Sequence, residues 1–293
     1  MVSTGDVSLN KEFIDTTIKA IALREYVLKD LCTIESSNAF TESYFRETNT
    51  DPTTITTGGG ATVKAKGTPR FAPFPSGKVD FTKVSGQTYK YAFEGLIAYE
   101  DELMNNLSII TRTMVRIARG PVLAVDSEIA AVMLASAGQV VTIAAGNEWD
   151  SATVANRTPI LDILNAIQLI RAQNLNPLDG TGYLVLNGTD YTNLISNSAI
   201  VNNPTYKSGV MENGVVGELL GLKIKVTQSL EFGTPDKAYV VLAKNALTWK
   251  EAVPLTTHME EKAGISKTVS AWELGQAQMV VPNACARIDN TRK

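Results

Sequence analysis

Residues 101–132 read DELMNNLSIITRTMVRIARGPVLAVDSEIAAV, and their apolar spacing is the strongest structural signal in this 293-residue chain. Apolar side chains recur at steps of three and four, which places them on one face of a helix. They are Leu103, Leu107, Ile110, Met114, Ile117, Val122, Val125, Ile129 and Val132. Gly120-Pro121 interrupts this stripe, because proline lacks a backbone donor and its ring clashes with the preceding turn. The stretch predicts one long helix that kinks at Pro121, or two separate helices.

The sequence that precedes this helix predicts an N-terminal helix followed by an extended arm. Residues 13–28 have apolar side chains at helical spacing, which predicts a short amphipathic helix that lies before any domain core. Residues 48–60 are polar and Thr-rich and end in three glycines, a composition typical of a loop. Two β-type segments follow, 61–66 and 78–84, with prolines between them. Together they predict a long two-stranded arm.

The predicted arm is basic, although the whole chain has a net charge of -3. Between Gly60 and Lys90 the acid Asp80 is outnumbered by basic residues, namely Lys64, Lys66, Arg70, Lys78, Lys83 and Lys90. Phe71 and Phe74 are candidate apolar anchors at the arm tip. Residues 89–99 then alternate aromatic and charged side chains, which predicts a strand with one buried aromatic face.

The chain after the long helix predicts a mixed α/β unit. Thr158-Pro159 is a helix start signal, and it precedes an apolar stripe that ends near Asn176-Pro177. Strands are predicted at 183–187, 222–227, 238–243 and 269–281, and a capped short helix at 188–195.

The composition excludes several classes of protein. The chain has 27 Lys and Arg residues against 30 Asp and Glu residues. Its net charge therefore has the wrong sign for binding nucleic acid through the phosphates. Charged residues are 19% of the chain, and the resulting neutral surface suits a subunit surrounded by its own copies. The only cysteines, Cys32 and Cys285, are expected to be free, apolar thiols of a protein made in a reducing cytoplasm. The sequence contains no run of about 18 apolar residues, so we expect no membrane-spanning helix.

The candidate chemical motifs favour structural roles. Gly58-Gly59-Gly60 lacks the Lys-Ser or Lys-Thr ending of a phosphate loop, and the single histidine, His258, cannot form the usual metal sites or triads. Glu100, Asp101 and Glu102 stand beside a helix start, where carboxylates interact favourably with the helix dipole. We therefore expect no catalytic residues, no cofactor and no metal, and hence no enzyme.

Four stretches in order resemble the major capsid proteins of tailed bacteriophages with the Hong Kong 97-like fold. They are 101–108, 182–191, 217–227 and 272–288. The resemblance implies an α+β fold in five segments. These are an N-terminal arm (1–40), an extended β-hairpin or E-loop (41–90), a peripheral domain with a long spine helix (91–137), an α/β axial domain (138–250) and return strands of the peripheral domain (251–293).

The resemblance also implies a function and partners. The chain would self-assemble through pentamers and hexamers into an icosahedral shell around double-stranded DNA, bound without sequence specificity. It would be made in the host cytoplasm and end in the virion, with scaffold, portal and decoration proteins as further partners and no membrane. The type member of the family joins its subunits by a Lys–Asn bond, for which Asn283, expected in a late strand, is a candidate amide.

The contact hypothesis is that the basic arm crosses a neighbouring subunit and meets acidic residues near its spine helix. The candidate contact residues are Lys64, Lys66, Arg70, Phe71, Phe74, Lys78, Glu94, Glu100, Asp101 and Glu102. Axial-domain loops such as 197–213 are expected at the symmetry axes. Two alternatives stay open, an encapsulin-like nanocompartment shell protein and, more remotely, a cytoplasmic α/β enzyme.

Overall fold

A computed structural model describes residues 11–47, 54–56, 62–64, 70–71, 81–104, 107–201, 217–232, 236–262 and 264–293. The α-helices of these residues are α1 (Lys11–Glu25), α2 (Tyr99–Leu103), α3 (Leu107–Ser136), α4 (Pro159–Ala172), α5 (Gly188–Ile195) and α6 (Ser198–Val201). Short 3-10 helices lie at Lys29–Leu31, Val154–Asn156, Gln228–Phe232 and Pro282–Ala284.

The strands of the described residues belong to two larger sheets and to the arm. They are β1 (Thr33–Ser36), β2 (Thr41–Glu47), β3 (Thr54–Thr56), β4 (Thr62–Lys64), β5 (Phe81–Gln87), β6 (Tyr89–Ala98), β7 (Gln139–Thr142), β8 (Gly182–Leu186), β9 (Glu218–Leu219), β10 (Leu222–Val226), β11 (Lys237–Leu242), β12 (Leu247–Lys262), β13 (Ser266–Met279) and β14 (Cys285–Asp289). The chain divides into a first unit (1–42, 86–130 and 249–278) and a second unit (43–85, 131–248 and 279–293).

The first unit contains a sheet whose strands follow the order β1-β12-β13-β6. Its core cluster joins α1, α3, β6 and β13 through Ile18, Ile97, Met114, Ile117, Ala118, Val269 and Ala271. Fully burying an aliphatic side chain of this size contributes roughly 1.5–3 kcal/mol. The helix at 13–28 is thus confirmed as α1, but the expectation that it lies before any domain core is wrong, because Ile18 is fully buried in this cluster.

The long helix is one element, α3, with Pro121 inside it. The two-helix alternative is therefore wrong. Gly120 has a packing role beside Pro121, because a Cβ at this position would lie 2.5 Å from the Cβ of Phe93 on β6. The predicted start of the stripe is also corrected, since Leu103 ends the separate short helix α2.

The second unit contains a mixed sheet with the order β7-β14-β11-β8-β10-β9. Strand β8 runs parallel to β10, whereas β11 is antiparallel to both β8 and β14. Helix α4 packs against β14 and β7. The Asn187 side chain caps α5 by accepting a 2.7 Å hydrogen bond from the backbone N–H of Asp190. The predicted α/β unit is confirmed in this region.

The arm has a different pairing from the one that the sequence predicts. Strand β3 pairs antiparallel with β4, and β2 pairs with β5. The predicted direct pairing of 61–66 with 78–84 is therefore wrong for the described strands. Each described pair uses an earlier strand, 41–47 or 54–56, which the sequence prediction assigned no strand.

The end of the chain confirms the strand predicted at 269–281, which is β13, and a further strand follows it. Strand β13 ends at Met279, the turn Pro282–Ala284 follows, and β14 then joins the sheet of the second unit. Asn283 thus lies in a turn and not in a strand. Among the described residues, no helix combines the length and hydrophobicity needed to span a bilayer.

Candidate assembly surfaces

Arg70 and Phe71, which the sequence places at the arm tip, are both exposed, and they follow β4 in the chain instead of lying between the paired strands β3 and β4. Phe71 is 102% exposed, and its φ of 65° lies in the left-handed region that a bulky side chain rarely adopts. Lys64 is placed only by its backbone, at the end of β4. The predicted contact residues Lys66, Phe74 and Lys78 lie outside the described residues.

The base of the arm is fixed within the second unit by contacts of β2. The Arg46 guanidinium donates to the Ser136 hydroxyl at 3.0 Å and to the Met279 carbonyl at 3.3 Å. The backbone N–H of Glu47 donates to the Val280 carbonyl at 2.9 Å. These contacts use side-chain and backbone groups of distant segments, so the arm leaves the second unit from a defined position.

The predicted acidic residues lie on the first unit. Glu94 is exposed on β6, opposite Ser270 of β13. Glu100 and Asp101 occupy the first turn of α2, as expected from the dipole argument, and the Glu102 side chain lies outside the described part. Their pairing with the basic arm of a neighbour stays a prediction.

Strand β6 presents apolar side chains that the sequence prediction placed in a buried face. Tyr91 is partly buried and Ile97 is buried, but Tyr89, Phe93 and Leu96 are exposed. Among the described strands, β6 stands at one end of the sheet order and pairs only with β13. A long apolar edge strand is a surface that proteins normally cover by another element or another subunit.

A buried ion cluster connects three segments of the first unit. The fully buried Glu273 carboxylate on β13 accepts from Lys29 Nζ at 2.5 Å, from Tyr26 Oη at 2.6 Å and from Trp249 Nε1 at 2.9 Å. Lys29 also contacts Glu251 at 2.9 Å. Burial, followed by the charge and hydrogen bond of Glu273, raises the pKa of Tyr26 well above its ordinary value. Sequence spacing alone did not reveal this cluster.

Asp126 on α3 holds Lys29 in place for this cluster. Its buried carboxylate accepts from the backbone N–H groups of Val27, Leu28 and Lys29 at 2.9, 3.2 and 3.1 Å. These bonds satisfy amides at the start of the 3-10 helix, which are otherwise without acceptors. The spine helix therefore fixes the backbone from which the Lys29 side chain extends.

A groove of about 500 Å³ opens beside this cluster, within the first unit. Its apolar lining includes Ile34 of β1 and Pro254 and Leu255 of β12, and its polar lining includes Lys19 and Asp30. Ile34 and Pro254 are exposed, so the apolar wall faces solvent in the single subunit. We name this surface the β1–β12 groove.

A second groove of about 660 Å³ lies on the second unit, between α4 and the loops before β8 and β10. Leu164 and Leu178 line it and are exposed, and Leu220 completes its apolar wall. Exposed leucines on a helix face are typical of surfaces that associate with other chains.

Asp162 is a buried carboxylate in the first turn of α4, and Trp149 Nε1 donates to it at 3.0 Å. Burial raises the pKa of Asp162 above its ordinary value of 3.8, and the Trp149 bond opposes this shift. Stability from a raised folded-state pKa is complete below the unfolded pKa and is lost as pH rises through the folded pKa. At neutral pH the buried charge of Asp162 is thus a cost to the fold.

We expect Asp162→Asn to raise the denaturant midpoint of the unassembled subunit at pH 7, because asparagine still accepts from Trp149 without a buried charge. The gain should shrink as the pH is lowered towards 4, measured by tryptophan fluorescence. Asp162→Ala is the control and should lower the midpoint, since Trp149 Nε1 then loses its acceptor. A stabilisation of the asparagine variant that is equal at both pH values would contradict the argument.

The other residues considered for chemical roles, which are the cysteines, Asn283 and His258, have environments set by packing and hydrogen bonds. Cys32 and Cys285 are buried thiols that form no disulfide, as predicted, and burial raises the pKa of Cys285 to about 12, so its thiol stays protonated. The Asn283 side chain accepts a hydrogen bond from Gln139 at 3.2 Å and donates one to Gln173 at 3.3 Å. His258 is exposed and its ring lies 6.5 Å from that of Trp272. The described residues contain no group of three potential metal ligands.

The two sheets, the long helix α3 and the paired arm strands agree with the Hong Kong 97-like fold, and comparison with solved structures confirms this α+β fold. The cyanophage P-SCSP1u capsid matches with a TM-score of 0.64 and 13% identity, over 90% of this chain and 88% of that chain. A structure from Mycobacterium phage Che8 matches with a TM-score of 0.62 and 16% identity, over 92% and 93%.

A virus-like particle from Pyrococcus furiosus also matches, with a TM-score of 0.60 and 12% identity, over 95% of this chain and 98% of that chain. No family model matches the chain, and no curated protein matches it in sequence. The likeness therefore lies in the fold, which extends over nearly the full length of both chains in each comparison.

Proposed function

We propose that the chain is the major capsid protein of a tailed bacteriophage, a subunit that self-assembles into an icosahedral head shell around double-stranded DNA. The observation that carries the proposal is the fold likeness to phage capsid chains over about nine-tenths of their length and of this one. In this proposal the role of the protein is structural and not catalytic.

Several surfaces of the described residues support a shell-forming role. The first unit exposes the apolar edge of β6 and the β1–β12 groove, and the second unit exposes a leucine-lined groove and the arm residues Arg70 and Phe71. Modest interfaces become stable when one subunit engages several neighbours at once. We assign the first unit to the peripheral domain and the α/β sheet of the second unit to the axial domain.

The arm supplies the register between subunits in this proposal. Its basic residues, among them Lys64 and Arg70, approach acidic residues of a neighbour such as Glu94 and Asp101. Complementary charge of this kind steers association and excludes wrong pairings more than it adds affinity. Pentamers and hexamers then form from the same contacts. The loop of residues 197–213 contributes to the contacts at their symmetry axes.

The charge of the chain also bears on its proposed cargo. A net charge of -3 disfavours tight capture of the genome, so DNA is enclosed without sequence-specific contacts. Scaffold, portal and decoration proteins are the further partners that this role implies, with assembly in the host cytoplasm and a final location in the virion.

Negative-stain electron microscopy with light scattering tests the proposal on the full chain, expressed alone and with scaffold candidates from its source. Closed shells or capsomer rings are expected. A discrete monomer or dimer under all conditions would contradict a shell-forming role and would favour the alternative of an α/β enzyme.

The second candidate function is a nanocompartment that encloses a protein cargo, and it stays open because a virus-like particle from Pyrococcus furiosus shares the fold. The contents of purified shells separate the two functions. Packaged nucleic acid supports the phage capsid, whereas a stoichiometric protein cargo supports the nanocompartment.

A further inference from the structure

Phe71 has an exposure and a backbone conformation that the surroundings of this residue in the subunit do not explain. Its side chain is completely exposed, and its backbone has a positive φ of 65°, which costs conformational energy for any residue except glycine. Neither feature stabilises the isolated subunit. A strained conformation that displays an aromatic ring is typical of a residue whose contacts form in a complex.

The β1–β12 groove has the size and lining for such a ring. Its volume of about 500 Å³ exceeds that of one aromatic side chain, and Ile34, Pro254 and Leu255 form an apolar wall. Exposed Ile34 and Pro254 gain burial only when something enters the groove. Aromatic anchors that fill preformed apolar pockets supply much of the binding energy of protein interfaces.

The charges beside the groove complement the residue that precedes Phe71. Lys29 is already engaged by Glu251 and Glu273, so this cluster carries more carboxylate than ammonium charge. Asp30 and Lys19 are both exposed at the groove and their charges balance, so the groove and the cluster beneath it keep one net negative charge. Arg70 stands next to Phe71 in the chain and is exposed. A ring in the groove therefore brings the Arg70 guanidinium towards Asp30 and towards a cluster whose net charge has the opposite sign.

We propose that Phe71 of one subunit inserts into the β1–β12 groove of a second copy, with Arg70 facing the Asp30 rim. This inference rests on the proposed shell-forming function and names the contact by which the arm engages a neighbour. It assigns a role to the buried Lys29–Glu273 cluster as well, since that cluster fixes one wall of the groove.

Cross-linking between two separately labelled variants tests the contact. Subunits with Arg70→Cys are co-assembled with subunits carrying Thr256→Cys, a groove position, and treated with a short bismaleimide. Cross-linked dimers of one chain of each kind are expected, because Phe71 is retained and the native cysteines are buried. The matched control replaces Thr256→Cys by Ile265→Cys, which is 67% exposed on the same unit and should give no dimer.

The outcomes separate this inference from the proposed function. Shells without dimers overturn the groove contact and leave the capsid role intact, whereas failure of the unmodified chain to form shells under any condition refutes the capsid role itself. A chain with both Arg70→Cys and Thr256→Cys adds a further control. Cross-linking within single chains, without dimers, would overturn the assignment to a second copy.

A side-chain test asks whether the ring itself matters. Phe71→Ala and Phe71→Gly should each raise the subunit concentration needed for assembly at least about tenfold, because both remove the anchor. Phe40→Ala is the control, since Phe40 is 74% exposed on the first unit and does not belong to the arm tip. Circular dichroism of the unassembled subunits checks folding. Normal assembly of the glycine variant would show that the ring has no role.

Discussion

Replacement of Glu273 by alanine is expected to lower the free energy of unfolding of the unassembled subunit by about 3–5 kcal/mol. The carboxylate is fully buried and accepts from Lys29, Tyr26 and Trp249. Without it, the buried Lys29 ammonium keeps its ion pair with Glu251, and two aromatic donors lose their acceptor. Chemical denaturation followed by tryptophan fluorescence measures the change.

A matched control for this prediction is the ion pair of Lys250 with Glu35, which has the same 2.5 Å separation at the surface. Glu35→Ala should cost less than about 1 kcal/mol, because exposed pairs are screened by water and salt. Lys29→Met combined with Glu273→Gln should recover part of the loss, since the glutamine oxygen still accepts from Trp249 and its amide N–H donates to the Tyr26 hydroxyl. Equal effects of Glu35→Ala and Glu273→Ala would contradict the importance of burial.

The spine helix was predictable because its signal is local. Residues from Leu107 to Val132 repeat at the helical period, and this pattern fixes the element and its buried face without knowledge of partners. Only the effect of Pro121 was uncertain. The structure shows that a continuous helix accommodates it, next to a glycine against which Phe93 packs.

The pairing of the arm strands was not predictable, because partner choice depends on contacts between distant segments. Segments of similar β propensity occur on both sides of the arm, and sequence alone does not rank their partners. The residue pattern assigned no strand to β12, although the resemblance implied return strands from residue 251 onwards. Pro254 lies inside β12, and a proline normally argues against a strand interior, yet this 16-residue strand lies between β1 and β13 in the sheet.

The Lys29–Glu273 contact joins residues 244 positions apart, so spacing rules for motifs do not reach it. One local signal was present. In β13, Val269, Ala271 and Glu273 follow the alternation of a strand and share its buried face. A carboxylate in that register predicts a buried partner, although its identity depends on the tertiary fold.

The largest expected effect on assembly comes from replacing Lys64, Lys66 and Lys78 together by glutamate. If the arm meets Glu94 and the acids of α2 on a neighbour, like charges then face each other, and such contacts cost several kcal/mol. We expect the variant subunit to fold, as judged by circular dichroism, but to form no shells at concentrations where the unmodified chain assembles. Light scattering and electron microscopy measure this loss.

The control for charge reversal must change the net charge equally at another place. Lys244→Glu, Lys262→Glu and Lys293→Glu together do so at exposed positions outside the arm. This control should assemble almost normally if location, and not total charge, decides the outcome. Raising the salt concentration should partly restore assembly of the arm variant, because screening weakens exposed charge pairs. Normal shells from the arm variant at low salt would show that charge does not set the register, and apolar contacts of the arm tip would then remain as its source.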